Sequence, residues 1–163
     1  MGGLQGNDFF QAPFFHFVAF TAPHFPLQAP PDLIARYRER YRAGWDAARD
    51  RRLARLAALG IVTTPPAAVE RDVGPPYAVV ATDTLGPGEV THPREWGSLT
   101  AEQQAFQAEK MAIHAAMVEA MDREVGRIVG QLESLGLLDD TLVLVLSDNG
   151  ASAEIMVRGE GHD

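Results

Sequence analysis

Two short apolar runs constrain the fold of this 163-residue chain more than any other feature of its sequence. Residues 14–20 read Phe-Phe-His-Phe-Val-Ala-Phe, and residues 142–146 read Leu-Val-Leu-Val-Leu. Both runs are too short for a typical helix and are apolar at nearly every position, which is typical of strands buried on both faces of a sheet. Each run therefore predicts a buried β-strand, and the first ends where prolines follow it.

Helical patterns fill much of the chain between the two runs. Asp32 follows two prolines and is the predicted N-cap of a first helix, because its carboxylate can accept from backbone N–H groups. Gly44 predicts a break between two helices, and Gly60 predicts a C-terminal cap. A strand, helices and a second strand in this order favour an α/β fold, with a mostly parallel sheet flanked by helices.

The longest helical pattern begins at Thr100 and Gln103, which form a capping-box pattern, and ends at Gly136. Its apolar positions recur at helical spacing and predict a buried face on which His114 is packed. These positions are Met111, His114, Val118, Met121, Val125, Ile128 and Leu132.

Residues 61–98 contain six of the eleven prolines and predict a long irregular excursion. Residues 77–82 within it could form a short strand. A structureless stretch of this length is unusual inside a compact domain, which favours a functional or branch-specific role.

Composition excludes several classes of partner and chemistry. The net charge is −8 and no basic cluster stands apart from the acidic excess, which argues against nucleic acid and acidic membranes. There is no cysteine, so disulfides and thiolate metal sites are excluded. No apolar run is long enough for a membrane span, and the first residues do not resemble a secretory signal, so localisation stays open.

Polar residues follow both predicted strands. His24 comes after the first, and Asp148 and Asn149 come after the second. In a parallel sheet these ends meet at one edge, where ligands commonly bind. A carboxylate and an amide oxygen suit a hard cation such as Ca²⁺ or Mg²⁺. The alternative is structural, since Asp-Asn-Gly is a common turn and a histidine beside prolines is commonly a loop residue.

Four segments in this order resemble a known family. Residues 13–30 resemble an apolar strand leading into Ala-Pro-His-x-Pro-Leu-Gln, and residues 41–46 match a Tyr-x-x-Gly-Trp-Asp pattern. Residues 117–141 are similar to the helical MVExMDxxVGxxxxxLxxxGxxDNT, and residues 147–150 match Ser-Asp-Asn-Gly. Together they identify the chain as similar to arylsulfatase-type sulfatases of the alkaline-phosphatase superfamily.

The resemblance implies a chemistry for these residues. Such enzymes hydrolyse sulfate esters of small molecules or carbohydrates with a formylglycine nucleophile and a divalent cation. It implies a catalytic role for His24 on the leaving-group side and makes Asp148 and Asn149 metal ligands. The formylglycine forms from Cys or Ser in a C/S-x-P-x-R motif, and this chain contains no such motif. Its single lysine, Lys110, matches none of the family's active-site lysines.

Residues 1–163 are therefore interpreted as an incomplete sulfatase catalytic domain, internal to a longer one, that is inactive alone. Two alternatives stay open. One is a phosphodiesterase or phosphonate monoester hydrolase of the same superfamily, and the other is a non-catalytic remnant.

Overall fold

The computed structural model describes residues 12–71 and 86–151, and the regular structure within these ranges is helical. Three α-helices run over Pro31–Tyr37 (α1), Gly44–Ala58 (α2) and Ala101–Ser134 (α3). Three short 3-10 turns accompany them, at Arg38–Tyr41, Trp96–Ser98 and Leu138–Asp140. No helix in these ranges combines the length and the apolar character that crossing a bilayer requires.

Helix α1 begins without the cap that the sequence predicted. Pro30 is the N-cap residue, Pro31 is the first helical residue, and no side chain caps the helix. Proline suits this first position because its missing N–H would have no partner within the helix and its φ angle is already helical. The prediction of Asp32 as N-cap is therefore wrong. Its carboxylate lies in the first turn, where the helix dipole still favours a negative charge.

Gly44 separates α1 and its 3-10 turn from α2, which confirms the predicted break. Its φ angle is 83°, and a Cβ atom there would overlap the indole ring of Trp96. The next residue, Trp45, meets the same ring edge-on, with the centroids 5.0 Å apart. Glycine at this position therefore allows both the turn of the chain and the close approach of Trp96.

Helix α3 has the predicted capping box. The Thr100 hydroxyl accepts from the Gln103 N–H at 3.2 Å, and the Gln103 side chain accepts from the Thr100 N–H at 3.0 Å. At the other end Gly136 has a φ angle of 69°, as expected of a glycine just after a helix. Gly60, with a φ angle of 70°, confirms the predicted end of α2 in the same way.

Helix α3 packs against α1, but through a different face from the one that the sequence predicted. The residues buried on α3 are Gln107, Ala108, Ala112, Ala116 and Met117. Alanines four residues apart share one side of a helix and allow a neighbouring helix to approach closely. His114 and Val118, on the predicted apolar face, are exposed among the described residues, so the prediction that His114 is packed is wrong here.

Ion pairs between side chains reinforce this helix pairing. Arg36 of α1 pairs with Glu119 of α3. Arg38, in the following 3-10 turn, donates two hydrogen bonds to Glu109, of 2.9 Å from Nε and 2.7 Å from its terminal nitrogen. These two hydrogen bonds to one carboxylate orient the 3-10 turn relative to α3.

The two apolar runs have no regular secondary structure in the described ranges and form no β-bridge there. Their side chains are exposed: Phe15 is 90% exposed, Leu142 84% and Leu146 86%. A strand exists only through hydrogen bonds to a neighbouring strand. The parallel sheet is therefore not confirmed by these residues and stays a prediction.

The proline-rich excursion, residues 61–98, is irregular over its described parts apart from the turn at Trp96–Ser98, as predicted. The possible strand at 77–82 lies outside the described residues. Asp46 attaches the excursion to α2, because its carboxylate accepts from the Trp96 N–H at 2.9 Å and from Arg71 at 3.0 Å. These two bonds, the Trp96 bond first, hold the pKa of Asp46 below its ordinary value.

Candidate functional site

His24 lies in a turn directly after the first apolar run. Its backbone N–H donates to the carbonyl of Thr21 at 3.0 Å, which closes a four-residue turn. Prolines follow at positions 26 and 30, so the backbone here lacks the donors that a central strand needs. The turn follows the first apolar run and presents an exposed His24.

The imidazole of His24 is held by its neighbour Phe25. Its Nδ1 atom lies 2.8 Å from the Phe25 carbonyl oxygen. The two rings are tilted by 41° with their centroids 4.3 Å apart. These two contacts orient the ring of His24, which is exposed.

The second candidate group is the turn at residues 147–150. Asp148 accepts from the Asn149 N–H at 3.0 Å, and Ser147 donates through its hydroxyl to the Asn149 carbonyl at 2.7 Å. The Asn149 amide nitrogen donates to the Gly150 carbonyl at 3.1 Å. This last bond uses the nitrogen of the amide and leaves its oxygen for another partner.

The oxygens of this turn fit a hard cation in kind but not in number. One Asp148 carboxylate oxygen and the Asn149 amide oxygen accept no hydrogen bond from residues 12–71 or 86–151. Calcium takes about six to eight oxygen ligands, so these two residues can supply only part of a site. No group of three or more His, Asp or Glu side chains suited to a metal occurs within the described ranges.

The structure does not join His24 to the second turn. Within the described residues, no hydrogen bond links its ring to Asp148 or Asn149. Their predicted meeting at one sheet edge depends on strand pairing that these ranges do not contain. That juxtaposition stays a prediction.

Lys110 has a structural partner. Its ammonium group pairs with both oxygens of Glu89, at 2.8 and 3.0 Å, and Gln107 donates to Glu89 at 2.9 Å. Burial of Glu89 opposes its ionisation, but bonds from Lys110, Gln107 and the Val90 N–H outweigh it and hold its pKa below the ordinary value. This cluster attaches the excursion to α3 and accounts for the only lysine of the chain.

A cleft of about 440 Å³ between the first 3-10 turn and α3 was not predicted. Its lining includes Tyr37, His114, Glu119 and Asp122. The spacing of the last three residues along α3 could have indicated a polar strip, but His114 was assigned to an apolar face. Neither His24 nor Asp148 lines this cleft.

Comparison with known proteins assigns the chain to a family. The sulfatase family model matches residues 4–163, which is nearly the whole chain. The chain belongs to the sulfatase family. Membership of this family implies an alkaline-phosphatase-like α/β fold.

Two relatives show the extent of this similarity. An uncharacterized sulfatase of Schizosaccharomyces pombe is 37% identical over 143 residues, which cover 88% of this chain and 23% of the relative. An arylsulfatase of Klebsiella aerogenes is 37% identical over 144 residues, which cover 87% of this chain and 26% of the relative. This sulfatase chain thus spans about a quarter of the length of each.

Proposed function

We propose that this chain carries part of the catalytic centre of a sulfuric ester hydrolase. The observation that carries the proposal is the position of two polar turns, both exposed and each directly after an apolar run. One contains His24 and the other contains Asp148 and Asn149. Membership of the sulfatase family over residues 4–163 supports a sulfate ester as the substrate.

In this proposal the apolar runs are adjacent members of a parallel sheet, and the two turns meet at its carboxyl edge. Ligands bind at this edge in open α/β sheets. Asp148 and Asn149 would hold Ca²⁺ or Mg²⁺ together with ligands from outside this sequence. When bound, the cation supplies positive charge that stabilises the oxygens of the sulfate group.

His24 is the proposed contact to the ester. Its imidazole can donate a hydrogen bond to an ester or sulfate oxygen as negative charge increases there. The formylglycine nucleophile has no counterpart among these 163 residues, which contain neither cysteine nor a serine in S-x-P-x-R. We assign the nucleophile to a part of the enzyme outside this sequence.

A small-molecule or carbohydrate sulfate ester is the proposed substrate class. The arylsulfatase of Klebsiella aerogenes, 37% identical over 144 residues, favours a sulfate ester over a phosphodiester or phosphonate monoester. Carbohydrate and aryl esters present the same sulfate group to the turns.

A chimeric enzyme tests the proposal. The matching segment of the Klebsiella arylsulfatase is replaced by this chain, and hydrolysis of an aryl sulfate is measured. We expect activity above background, and we expect His24→Ala or Asp148→Ala to lower kcat/KM by about 10²-fold or more. His92→Ala and Asp139→Ala are the matched controls, because both change exposed residues outside the two turns.

Three results would contradict the proposal. The first is a folded chimera with no turnover, and the second is a His24→Ala chimera as active as its parent. The third is faster hydrolysis of a phosphodiester than of the aryl sulfate, which would favour the alternative activity.

The 163-residue chain by itself gives a separate expectation. It should not hydrolyse aryl sulfate faster than buffer, and calorimetry should show Ca²⁺ binding at about millimolar concentration, as in the weakest natural sites. Micromolar binding that Asp148→Ala abolishes would show that these residues form a complete metal site.

A further inference from the structure

The bond between His24 and Phe25 determines where the imidazole carries its proton. A backbone carbonyl oxygen can only accept a hydrogen bond, so the Nδ1 atom 2.8 Å from it must be the donor. A neutral imidazole carries one N–H. The Phe25 carbonyl therefore selects the tautomer with the proton on Nδ1 and the lone pair on Nε2.

This selection runs against the intrinsic preference of the side chain, since a free neutral histidine in water favours the proton on Nε2. Two further contacts stabilise the arrangement. The centroids of the Phe25 and His24 rings lie 4.3 Å apart, and the backbone N–H of His24 donates to the Thr21 carbonyl at 3.0 Å. Backbone and ring are thus both held while the side chain stays exposed.

We propose that the Phe25 carbonyl is a positioning group that fixes the tautomer of His24 and makes Nε2 the atom that contacts the substrate. The proposal rests on the proposed function, because it deepens the role of His24 there. In the neutral ring Nε2 is a hydrogen-bond acceptor. In the protonated ring Nε2–H donates to an anionic oxygen of the ester, while Nδ1–H stays bonded to Phe25 and supports the positive charge.

The tautomer can be measured in the 163-residue chain without any activity. Nitrogen-15 NMR of the imidazoles, at a pH where they are neutral, distinguishes a protonated from an unprotonated ring nitrogen. We expect His24 to have the proton mainly on Nδ1. His114 is the internal control, since no described hydrogen bond reaches its ring, and it should show the ordinary preference for Nε2–H.

Two amide substitutions in the chimera test which nitrogen contacts the substrate. Asparagine at position 24 places its amide near the position of Nδ1, whereas glutamine reaches the position of Nε2. We expect His24→Gln to retain about tenfold more kcat/KM than His24→Asn. A purely structural role of the Phe25 bond would give the opposite order, because only asparagine can replace that bond.

The outcomes separate this proposal from the one on which it rests. A His24 ring protonated mainly on Nε2 would overturn the assigned tautomer. Asparagine performing as well as glutamine would overturn the assignment of Nε2 to the substrate. An inactive chimera together with the Nδ1–H form would reject the proposed function and still support the positioning role of the carbonyl.

Discussion

Two structural constraints at position 44 favour glycine over any residue with a side chain. Its φ angle of 83° lies in the left-handed region, and its Cα hydrogen faces the ring of Trp96 where a Cβ atom would overlap it. The side chains around it add to the constraint, because the Trp45 indole N–H donates to the Arg94 carbonyl at 2.9 Å. Gly44 thus sets the distance between α2 and the excursion.

Gly44→Ala should lower the free energy of unfolding by about 3 kcal/mol. About 1–2 kcal/mol comes from the left-handed backbone, and the rest comes from overpacking against Trp96. Urea denaturation followed by circular dichroism measures the change. The matched control is Gly126→Ala, at an exposed site in α3 with open space around the new Cβ atom, which should raise stability by about 0.5–1 kcal/mol. Equal effects of the two substitutions would refute the role of Gly44.

Single residues show what the sequence could predict. Gly44, Gly60 and Gly136 were predicted correctly because their turns depend on the local backbone. The prediction that Asp32 is the N-cap was wrong because the helix begins earlier, with Pro31, whose φ angle is already helical. His114 was wrong because the covered face of a helix depends on its partner, which periodicity does not identify.

At the scale of elements, α3 is the longest described helix and begins with a complete capping box. We expect Thr100→Ala to lower the free energy of unfolding by about 1 kcal/mol, because the Gln103 N–H loses its acceptor. Thr100→Ser keeps a hydroxyl, so its free energy of unfolding should lie within a few tenths of a kcal/mol of the native value. Chemical denaturation of the three proteins measures the series, and a serine variant as unstable as the alanine variant would contradict the capping role.

The attachment of the excursion to α3 should depend on pH. The pKa of Glu89 in the folded chain lies below its ordinary value of 4.5, so its stabilising contribution is complete above that pH and is lost as the pH falls through the folded pKa. Glu89→Gln should cost about 1 kcal/mol at pH 7, a value reduced by the partial exposure of Lys110. The deficit should shrink as the pH falls through the folded pKa of Glu89 and vanish below it.

Urea denaturation at pH 7 and in acid, below the folded pKa of Glu89, tests this expectation. Glu124→Gln is the control, because its partner Arg127 is largely exposed and the pair should contribute little at either pH. A Glu89→Gln deficit that persists unchanged in acid would show that the ionised form of Glu89 is not what stabilises the excursion.

The two apolar runs depend on contacts that a local sequence pattern does not determine. The apolar runs predicted strands buried on both faces, but the described residues provide no neighbouring strand and leave both runs exposed. For the same reason the sequence located the polar turns at His24 and Asp148 but did not determine the distance between them. Strand pairing is a contact between distant segments, and a local pattern carries no information on the partner.

At the scale of the whole molecule, the exposed apolar runs should make the isolated chain self-associate. Leu144 and Val145 are 69% and 71% exposed, and contiguous exposed apolar side chains favour association with other chains. Light scattering over a concentration series should show a rising average mass, and the double substitution Leu144→Lys with Val145→Lys should lower it. Gln131→Lys adds the same kind of charge at an exposed site on α3 and should change little. A chain that stays monomeric at all concentrations would contradict this expectation.

The alanine face of α3 has a consequence for how this gene can vary. Every single-base change that alters an alanine codon gives Gly, Ser, Thr, Val, Pro, Asp or Glu. At Ala112 and Ala116, which are fully buried, most of these products add atoms or charge to a buried position, and glycine or proline weakens the helix itself. These buried alanines should therefore tolerate missense changes least. Population sequencing should find fewer variants at these positions than on the exposed side of α3.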